Sequence, residues 1–242
     1  LFWSSPAAQR IVTAAALAAM LAAALLLLNR VLSDGQIALT FGGWAPPFGI
    51  SFVADRLGTA MVMVTALLAA AVMLFGRADI RGRQERSGFH PLMLGMLASI
   101  NGAFLTGDLF NLYVWFEIML ITAMGLLGLR GTRAQLDGVL KYAVLNLFST
   151  LLFLLAVALL YGATGTLNMA DLARIMPTLE PSATLTISAL LFLAGFGIKA
   201  GYFPLFFWLP ASYHTASITV AATFSAVKPK CLNSTGAGAD SP

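Results

Sequence analysis

An acidic and a basic side chain each lie inside a long apolar stretch of this sequence. Glu117 lies within 109–128, and Lys199 lies within 190–204. A charged side chain at the centre of a bilayer costs about 2.5 kcal/mol or more, and such residues usually mark an ion or proton route. A static buried ion pair that fixes two helices is the alternative. The sequence leaves open whether the two side chains touch.

Helix-weakening residues surround the lysine. Gly195, Gly197 and Gly201 lie close to Lys199, and Pro204 follows. Proline removes a backbone donor and crowds the carbonyl four residues back, while glycine is a poor helix former. Interrupted helices at membrane depth mark ion sites in many transporters. We therefore predict an interrupted helix at Lys199, where burial and pairing both act on the proton affinity of the amine.

Other polar residues could extend a proton path from this pair. Tyr142, Asn146 and Thr150 recur every four residues and predict one polar stripe on a helix. The stripe either forms interhelical hydrogen bonds or lines a water path. Lys141 could belong to the path or extend its amine to the membrane surface. His214 could belong to the path or act as a loop or capping residue.

The composition predicts a membrane protein. Of 242 residues, 59% are hydrophobic and 10% are charged, against about 25% charged residues in soluble domains. The net charge of +4 comes from short loops, so we expect no nucleic-acid partner. Cys231 is the single cysteine, which excludes internal disulfides and Cys-ligated clusters. His90 and His214 lack metal-ligand spacing, so no metal or cofactor is expected, and enzymatic activity is not expected either.

Apolar segments of spanning length predict an all-α, polytopic transmembrane helix bundle. A spanning helix needs about 20 mostly apolar residues. Six complete candidates are 11–29, 57–75, 91–106, 108–129, 138–161 and 183–209. A seventh segment, 216–227, is short. The membrane domain is therefore predicted to cover 1–227, and the polar tail, 228–242, is expected to be disordered or non-native.

Basic residues predict the orientation of these segments. Loops 76–90 and 130–137 are rich in arginine and are predicted to be cytoplasmic. Segment 30–56, the turn at 107–108 and loop 162–182 are predicted to be external, and 42–47 is expected to be a rigid stretch rich in turns.

Two local patterns predict packing and capping around the turn at 107–108. Asp108 is expected to cap the next helix. A stripe of small residues precedes it, and such stripes usually pack against another helix, with a pore lining as the alternative. The stripe consists of Gly95, Ser99, Gly102 and Thr106.

Four stretches of this chain resemble the antiporter-like membrane subunits shared by multisubunit cation/proton antiporters of the Mrp type and respiratory complex I. The resemblance runs from about residue 11 to 226. Segments 42–50 and 160–169 favour the Mrp-type branch over complex I. The matching stretches are 109–120, 141–149, 160–170 and 197–210 with 213–215.

The resemblance implies roles for particular residues. It makes Glu117 and Lys199 a coupled pair that moves protons along a hydrated axis, and it places Lys230 at the offset of a further lysine, although the residues before Lys230 depart from the family pattern. It also implies that the chain covers roughly the N-terminal half of a family member, with one proton half-channel.

The leading functional hypothesis is a proton-translocating subunit of a multisubunit Na⁺ or K⁺/H⁺ antiporter in the bacterial plasma membrane. Its partners would be other subunits of the complex, the transported ions and the lipid bilayer. A proton-pumping subunit of a quinone oxidoreductase and a structural membrane subunit without transport are the alternatives.

Overall fold

The computed structural model describes residues 5–44, 48–80, 82–204, 206, 208–213 and 218–227. The predicted tail at 228–242 and two candidate path residues, His214 and Lys230, lie outside this described part.

The described residues form a helical bundle with one small β-hairpin. In chain order the helices are α1 (Pro6–Asp34), α2 (Arg56–Asp79), α3 (Arg83–Arg86), α4 (Phe89–Leu105), α5 (Leu109–Leu127), α6 (Arg133–Thr164), α7 (Met169–Ile175), α8 (Ala183–Ala200), α9 (Trp208–Tyr213) and α10 (Ile218–Val227). The strands are β1 (Ile37–Thr40) and β2 (Ser51–Ala54), which pair antiparallel.

Helix length agrees with a polytopic membrane fold. Among the described residues, α1, α2, α5, α6 and α8 are long and apolar enough to cross a bilayer. The 17-residue helix α4 is apolar but slightly shorter than these five. The all-α membrane bundle predicted from the sequence is therefore confirmed, while the number of spans stays a prediction.

Capping residues explain where several helices begin. The side chains of Asp55, Asp108, Thr132 and Ser182 each accept a hydrogen bond from a backbone N–H in the first turn of α2, α5, α6 and α8. Such caps satisfy donors that have no partner within the helix. The predicted cap at Asp108 is confirmed, with its carboxylate 2.9 Å from the backbone nitrogen of Asn111.

The loops predicted as cytoplasmic meet at one end of the bundle. Asp79, at the end of α2, forms an ion pair with Arg130, which precedes α6. The same carboxylate accepts hydrogen bonds from the backbone N–H and hydroxyl of Thr219, at the start of α10. A second group of polar residues ties α1 to α3 and α4. Arg10 on α1 donates two hydrogen bonds to the buried Glu85 on α3, and the hydroxyl of Thr13 on α1 lies 2.9 Å from Nδ1 of His90 on α4.

The segments predicted as external meet at the other end. The backbone N–H of Gly107 donates to the carbonyl of Ser51 on β2, and that of Met169 donates to the carbonyl of Gly107. The Asn168 amide also donates to the Ser51 hydroxyl. The β-hairpin was not predicted, since segment 30–56 was expected only to be external, with a rigid, turn-rich stretch at 42–47.

Small residues on α4 let α5 approach closely. A Cβ atom at Gly95 would lie 2.8 Å from a methyl carbon of Thr122, and one at Gly102 would lie 2.3 Å from the indole of Trp115. Ser99, between them, is fully buried. The packing role predicted for this stripe is confirmed, and it fixes the position of the helix that carries Glu117.

Candidate functional site

Helix α8 ends one residue after Lys199. Gly201 adopts the left-handed conformation at φ 71°, which side chains other than glycine rarely adopt. The backbone N–H of Tyr202 donates to the carbonyl of Gly197 at 2.9 Å, and that of Gly201 donates to the carbonyl of Ile198 at 3.2 Å. This is the Schellman pattern of helix termination. The interruption predicted from the glycines and Pro204 is therefore present, and it begins at Gly201.

The chain beyond the interruption folds back onto the bundle. The indole N–H of Trp208, the first residue of α9, donates to the carbonyl of Ile198 at 2.9 Å. The Trp208 ring is fully buried and packs edge-on against Tyr142 on α6, with 5.3 Å between ring centroids. These contacts hold the end of α8 against α6 although the helix itself has stopped.

Polar contacts between α6 and α8 set the distance between these two helices. The Ser149 hydroxyl donates to the carbonyl of Gly195 at 2.7 Å, and the Ser188 hydroxyl donates to the carbonyl of Ala156 at 2.9 Å. A Cβ atom at Gly195 would lie 3.3 Å from the Ser149 carbonyl oxygen. Gly195 therefore serves close helix packing, while Gly201 serves the interruption.

Lys199 and Glu117 lie near each other without forming an ion pair. Glu117 directly follows Phe116, and the ring of Phe116 lies beside the Lys199 amine. The ion pairs found among the described residues do not include these two. Instead, the Lys199 amine lies over the ring of Phe116, 4.8 Å from its centroid. One buried carboxylate oxygen of Glu117, Oε1, has no hydrogen-bond partner among the described residues.

A cavity of about 470 Å³ opens beside Lys199. Its polar lining comes from Lys199, Tyr142, Asn146 and Tyr202, and its apolar lining comes from α4, α5 and α8. Two members of the predicted polar stripe therefore reach the same cavity as the lysine. Such a space, with an amine, an amide and phenols on its wall, can admit water next to the buried charge.

Other residues of the predicted path have different surroundings. The Thr150 hydroxyl donates to the carbonyl of Leu147 within its own helix. The Asn146 amide likewise donates to the carbonyl of Tyr142, and the interhelical bond of this region comes from Ser149. Lys141 is exposed and pairs with Asp137 one turn away, so its amine lies on the helix surface in this structure.

Two aromatic residues of the site were missed by the sequence reasoning. Phe116 directly precedes Glu117, and Trp208 follows the interruption. Among many aromatic residues in an apolar chain, neither has a distinguishing pattern, although the position of Phe116 beside the acid was a usable signal. In the described residues, no group of three His, Cys, Asp or Glu residues could hold a metal ion.

The fold and the site define a class of protein: a multi-pass membrane protein with an acid and a base beside an interrupted helix. Comparison with known families supports the assignment to a class of multi-pass membrane proteins. The family described as NADH:quinone oxidoreductase/Mrp antiporter, transmembrane, matches residues 106–231. The chain belongs to this family, which confirms the resemblance seen in the sequence.

Curated relatives belong to the antiporter branch. The chain is 42% identical over 230 residues to an Na(+)/H(+) antiporter subunit of Alkalihalophilus pseudofirmus, covering 95% of this chain and 47% of the relative. It is also 42% identical over 209 residues to a probable K(+)/H(+) antiporter subunit of Rhizobium meliloti, covering 83% and 38%. The chain thus spans half or less of the length of these relatives.

Solved structures share the fold at similar coverage. A chain of the Mrp complex from Dietzia sp. DQ12-45-1b is 32% identical with a TM-score of 0.79, covering 91% of this chain and 41% of that one. A chain of the membrane-bound sulfane sulfur reductase, an archaeal respiratory complex, is 32% identical with a TM-score of 0.83, covering 91% and 45%.

Proposed function

We propose that this chain is a proton-translocating subunit of a multisubunit Na⁺ or K⁺/H⁺ antiporter in a bacterial plasma membrane. The proposal rests on relatives that are named as subunits of Na⁺/H⁺ and K⁺/H⁺ antiporters. The other subunits of that complex, the transported ions and the bilayer are its partners. No role for a metal or an organic cofactor is included.

The observation that carries the proposal is the unsatisfied acid beside the lysine. Glu117 has a buried oxygen without a hydrogen-bond partner among the described residues, and it directly follows Phe116, whose ring the Lys199 amine contacts. A buried polar atom without a partner costs about 1–3 kcal/mol, and more if it is charged. A purely structural pair would be expected to close into hydrogen-bonded contact. An open pair whose lysine lines a cavity is better suited to exchange partners and protons.

The chemistry follows from the charges of the two groups. A proton that reaches Glu117 removes its negative charge, and a proton that leaves Lys199 removes the positive charge. Either event ends the attraction between them, because the attraction needs both charges and is strong at low dielectric. The freed group can then interact with a different neighbour. Tyr142 and Asn146, on the wall of the cavity, are suited to bind water that delivers or accepts the proton.

The test uses the assembled membrane complex that contains this chain. We expect Glu117→Gln and Lys199→Ala to reduce Na⁺- or K⁺-dependent proton movement at least tenfold in inside-out vesicles, measured with a pH-sensitive dye. Glu180→Gln is the matched control, because Glu180 is exposed. Wild-type flux in both site variants, with normal assembly of the complex, would refute the transport role and leave the structural alternative.

A second candidate is a proton-pumping subunit of a redox-driven complex. It is favoured by the similarity to a chain of an archaeal respiratory complex, which is as identical to this chain as the Mrp structure is. The two candidates differ in their partners. Purification of the intact complex would yield subunits with redox centres in one case and only membrane antiporter subunits in the other.

A further inference from the structure

The ring of Phe116 offers Lys199 a second partner beside Glu117. The lysine amine lies 4.8 Å from the centroid of this ring, within the distance at which a cation is attracted to an aromatic face. We propose that Phe116 is a positioning residue that holds the charged amine apart from Glu117 whenever the pair is open. This inference rests on the proposed function of the Glu117–Lys199 pair.

Neighbouring aromatic residues hold the ring in place. Phe153 on α6 and Phe196 on α8 both pack against Phe116 edge-to-face, with centroid distances of 5.7 Å and 6.2 Å and interplanar angles of 76° and 82°. Phe153 is fully buried and also packs against Phe192 at 5.1 Å. A ring held from two helices keeps its face oriented toward the amine, and the amine approaches the side that carries the negative part of the quadrupole.

Phe116 and Glu117 are neighbours in the chain, so the two partners of Lys199 lie close to each other. Phe116 and Glu117 are consecutive on α5, so their side chains leave the helix about 100° apart. An amine at the end of α8 can therefore change from carboxylate to ring by rotating its own side chain.

The physical need for such a partner comes from the low dielectric. Separation of an ion pair away from water is costly, because each charge loses the attraction of the other. An aromatic face attracts a cation without carrying a net charge, so it lowers the cost of the open state. It does not bind the amine as tightly as a carboxylate does. The ring thus favours repeated opening and closing of the pair.

The test varies the electrostatics of the ring while its shape stays constant. Mono-, di- and trifluorinated phenylalanine at position 116 progressively weaken the negative face with little change in volume. In the assembled complex we expect ion-dependent proton flux to fall with each added fluorine, to about a tenth in the trifluorinated protein. Phe116→Leu is expected to lose at least as much, while Phe116→Tyr, which keeps an aromatic face, is expected to retain most of the flux.

Phe192→Leu is the matched control. Phe192 belongs to the same aromatic cluster, with contacts to Phe153 and Phe196, and it makes no cation–π contact with Lys199 in the described structure. Its replacement tests the loss of aromatic packing alone. If Phe116→Leu impairs assembly, the fluorinated series decides, since those proteins keep the shape of the ring.

The outcomes separate this inference from the proposed function. Equal flux across the fluorinated series, with Glu117→Gln and Lys199→Ala inactive, would refute the role of Phe116 and keep the pair as the transport site. Normal flux in Glu117→Gln and Lys199→Ala would refute the proposed function itself. A graded decline in the series, with Phe192→Leu much less affected than Phe116→Leu, would support the role of the ring.

Discussion

The contact between Gly102 and Trp115 offers a direct test of how α5 is positioned. A methyl group at position 102 would lie 2.3 Å from two atoms of the indole ring, far inside the normal contact distance. Trp115 cannot withdraw freely, because its ring also packs edge-on against Phe52 of the β-hairpin, with 6.3 Å between centroids. We therefore expect Gly102→Ala to displace α5, which carries Phe116 and Glu117.

The expected magnitude comes from two opposing contributions. Overpacking of a close contact costs about 1–3 kcal/mol. Replacement of a helical glycine by alanine stabilises the helix by roughly 0.5–1 kcal/mol. Gly162 on α6 provides the control, because a Cβ atom there has nothing within 4 Å. Gly102→Ala and Gly162→Ala share the stabilisation from helix propensity. The difference between their free energies of unfolding should therefore equal the overpacking cost of about 1–3 kcal/mol.

The assay is thermal unfolding of both variants in the same detergent, followed by circular dichroism. For a chain of this size, about 1 kcal/mol shifts Tm by roughly 2–4 °C, so Gly102→Ala should unfold roughly 2–12 °C below Gly162→Ala. The ion-dependent proton flux of the assembled complex should fall in Gly102→Ala and stay near wild type in Gly162→Ala. Equal Tm values for the two variants would contradict the packing of α4 against α5 described above.

Three further perturbations test other parts of the structure. The Arg10 guanidinium holds the pKa of the Glu85 carboxyl below its usual value of 4.5, although burial acts in the opposite direction. The contact therefore stabilises the fold fully above pH 4.5, and this stabilisation is lost as the pH falls through the lowered pKa. The Tm difference between wild type and Glu85→Gln should therefore be largest near neutral pH and vanish in acid; a constant difference would contradict this. Ser149→Ala removes the hydrogen bond to Gly195 and should lower the free energy of unfolding by about 0.6 kcal/mol and by no more than about 1.7 kcal/mol. An unchanged free energy of unfolding in denaturant titrations would argue against this bond. Gly201→Ala places a side chain at φ 71° and 2.5 Å from a methyl carbon of Leu209, so it should cost at least about 1–2 kcal/mol and reduce flux; full stability would refute the left-handed helix end.

The helices were predictable because membrane segments carry a strong local signal. The candidates 57–75, 108–129 and 138–161 correspond to α2, α5 and α6, although α2 and α6 extend several residues beyond them. A bilayer offers no hydrogen bonds to an exposed backbone, so an apolar stretch of this length has to be helical. The hairpin at 37–54 had no such signal, since its short strands depend on pairing with each other and on contact with the turn at 107–108.

The site was predictable in its members more than in its contacts. The apolar surroundings of Glu117 and Lys199 single them out, and the glycines near Lys199 predict the interruption. The sequence did not indicate that the lysine lies over Phe116 or that Trp208 returns to the end of α8. Such contacts join residues far apart in the chain, and their geometry depends on how the helices pack.

Composition and spacing alone predict a helical membrane protein with an acid and a base at membrane depth. Burial of a charge is so costly that its position in an apolar stretch is informative without any structure. Helix packing, in contrast, is needed to show that Tyr142, Asn146 and Lys199 share one cavity and that the Lys199 amine lies over the ring of Phe116. The physical reason is that packing brings residues distant in the chain within a few ångströms of each other.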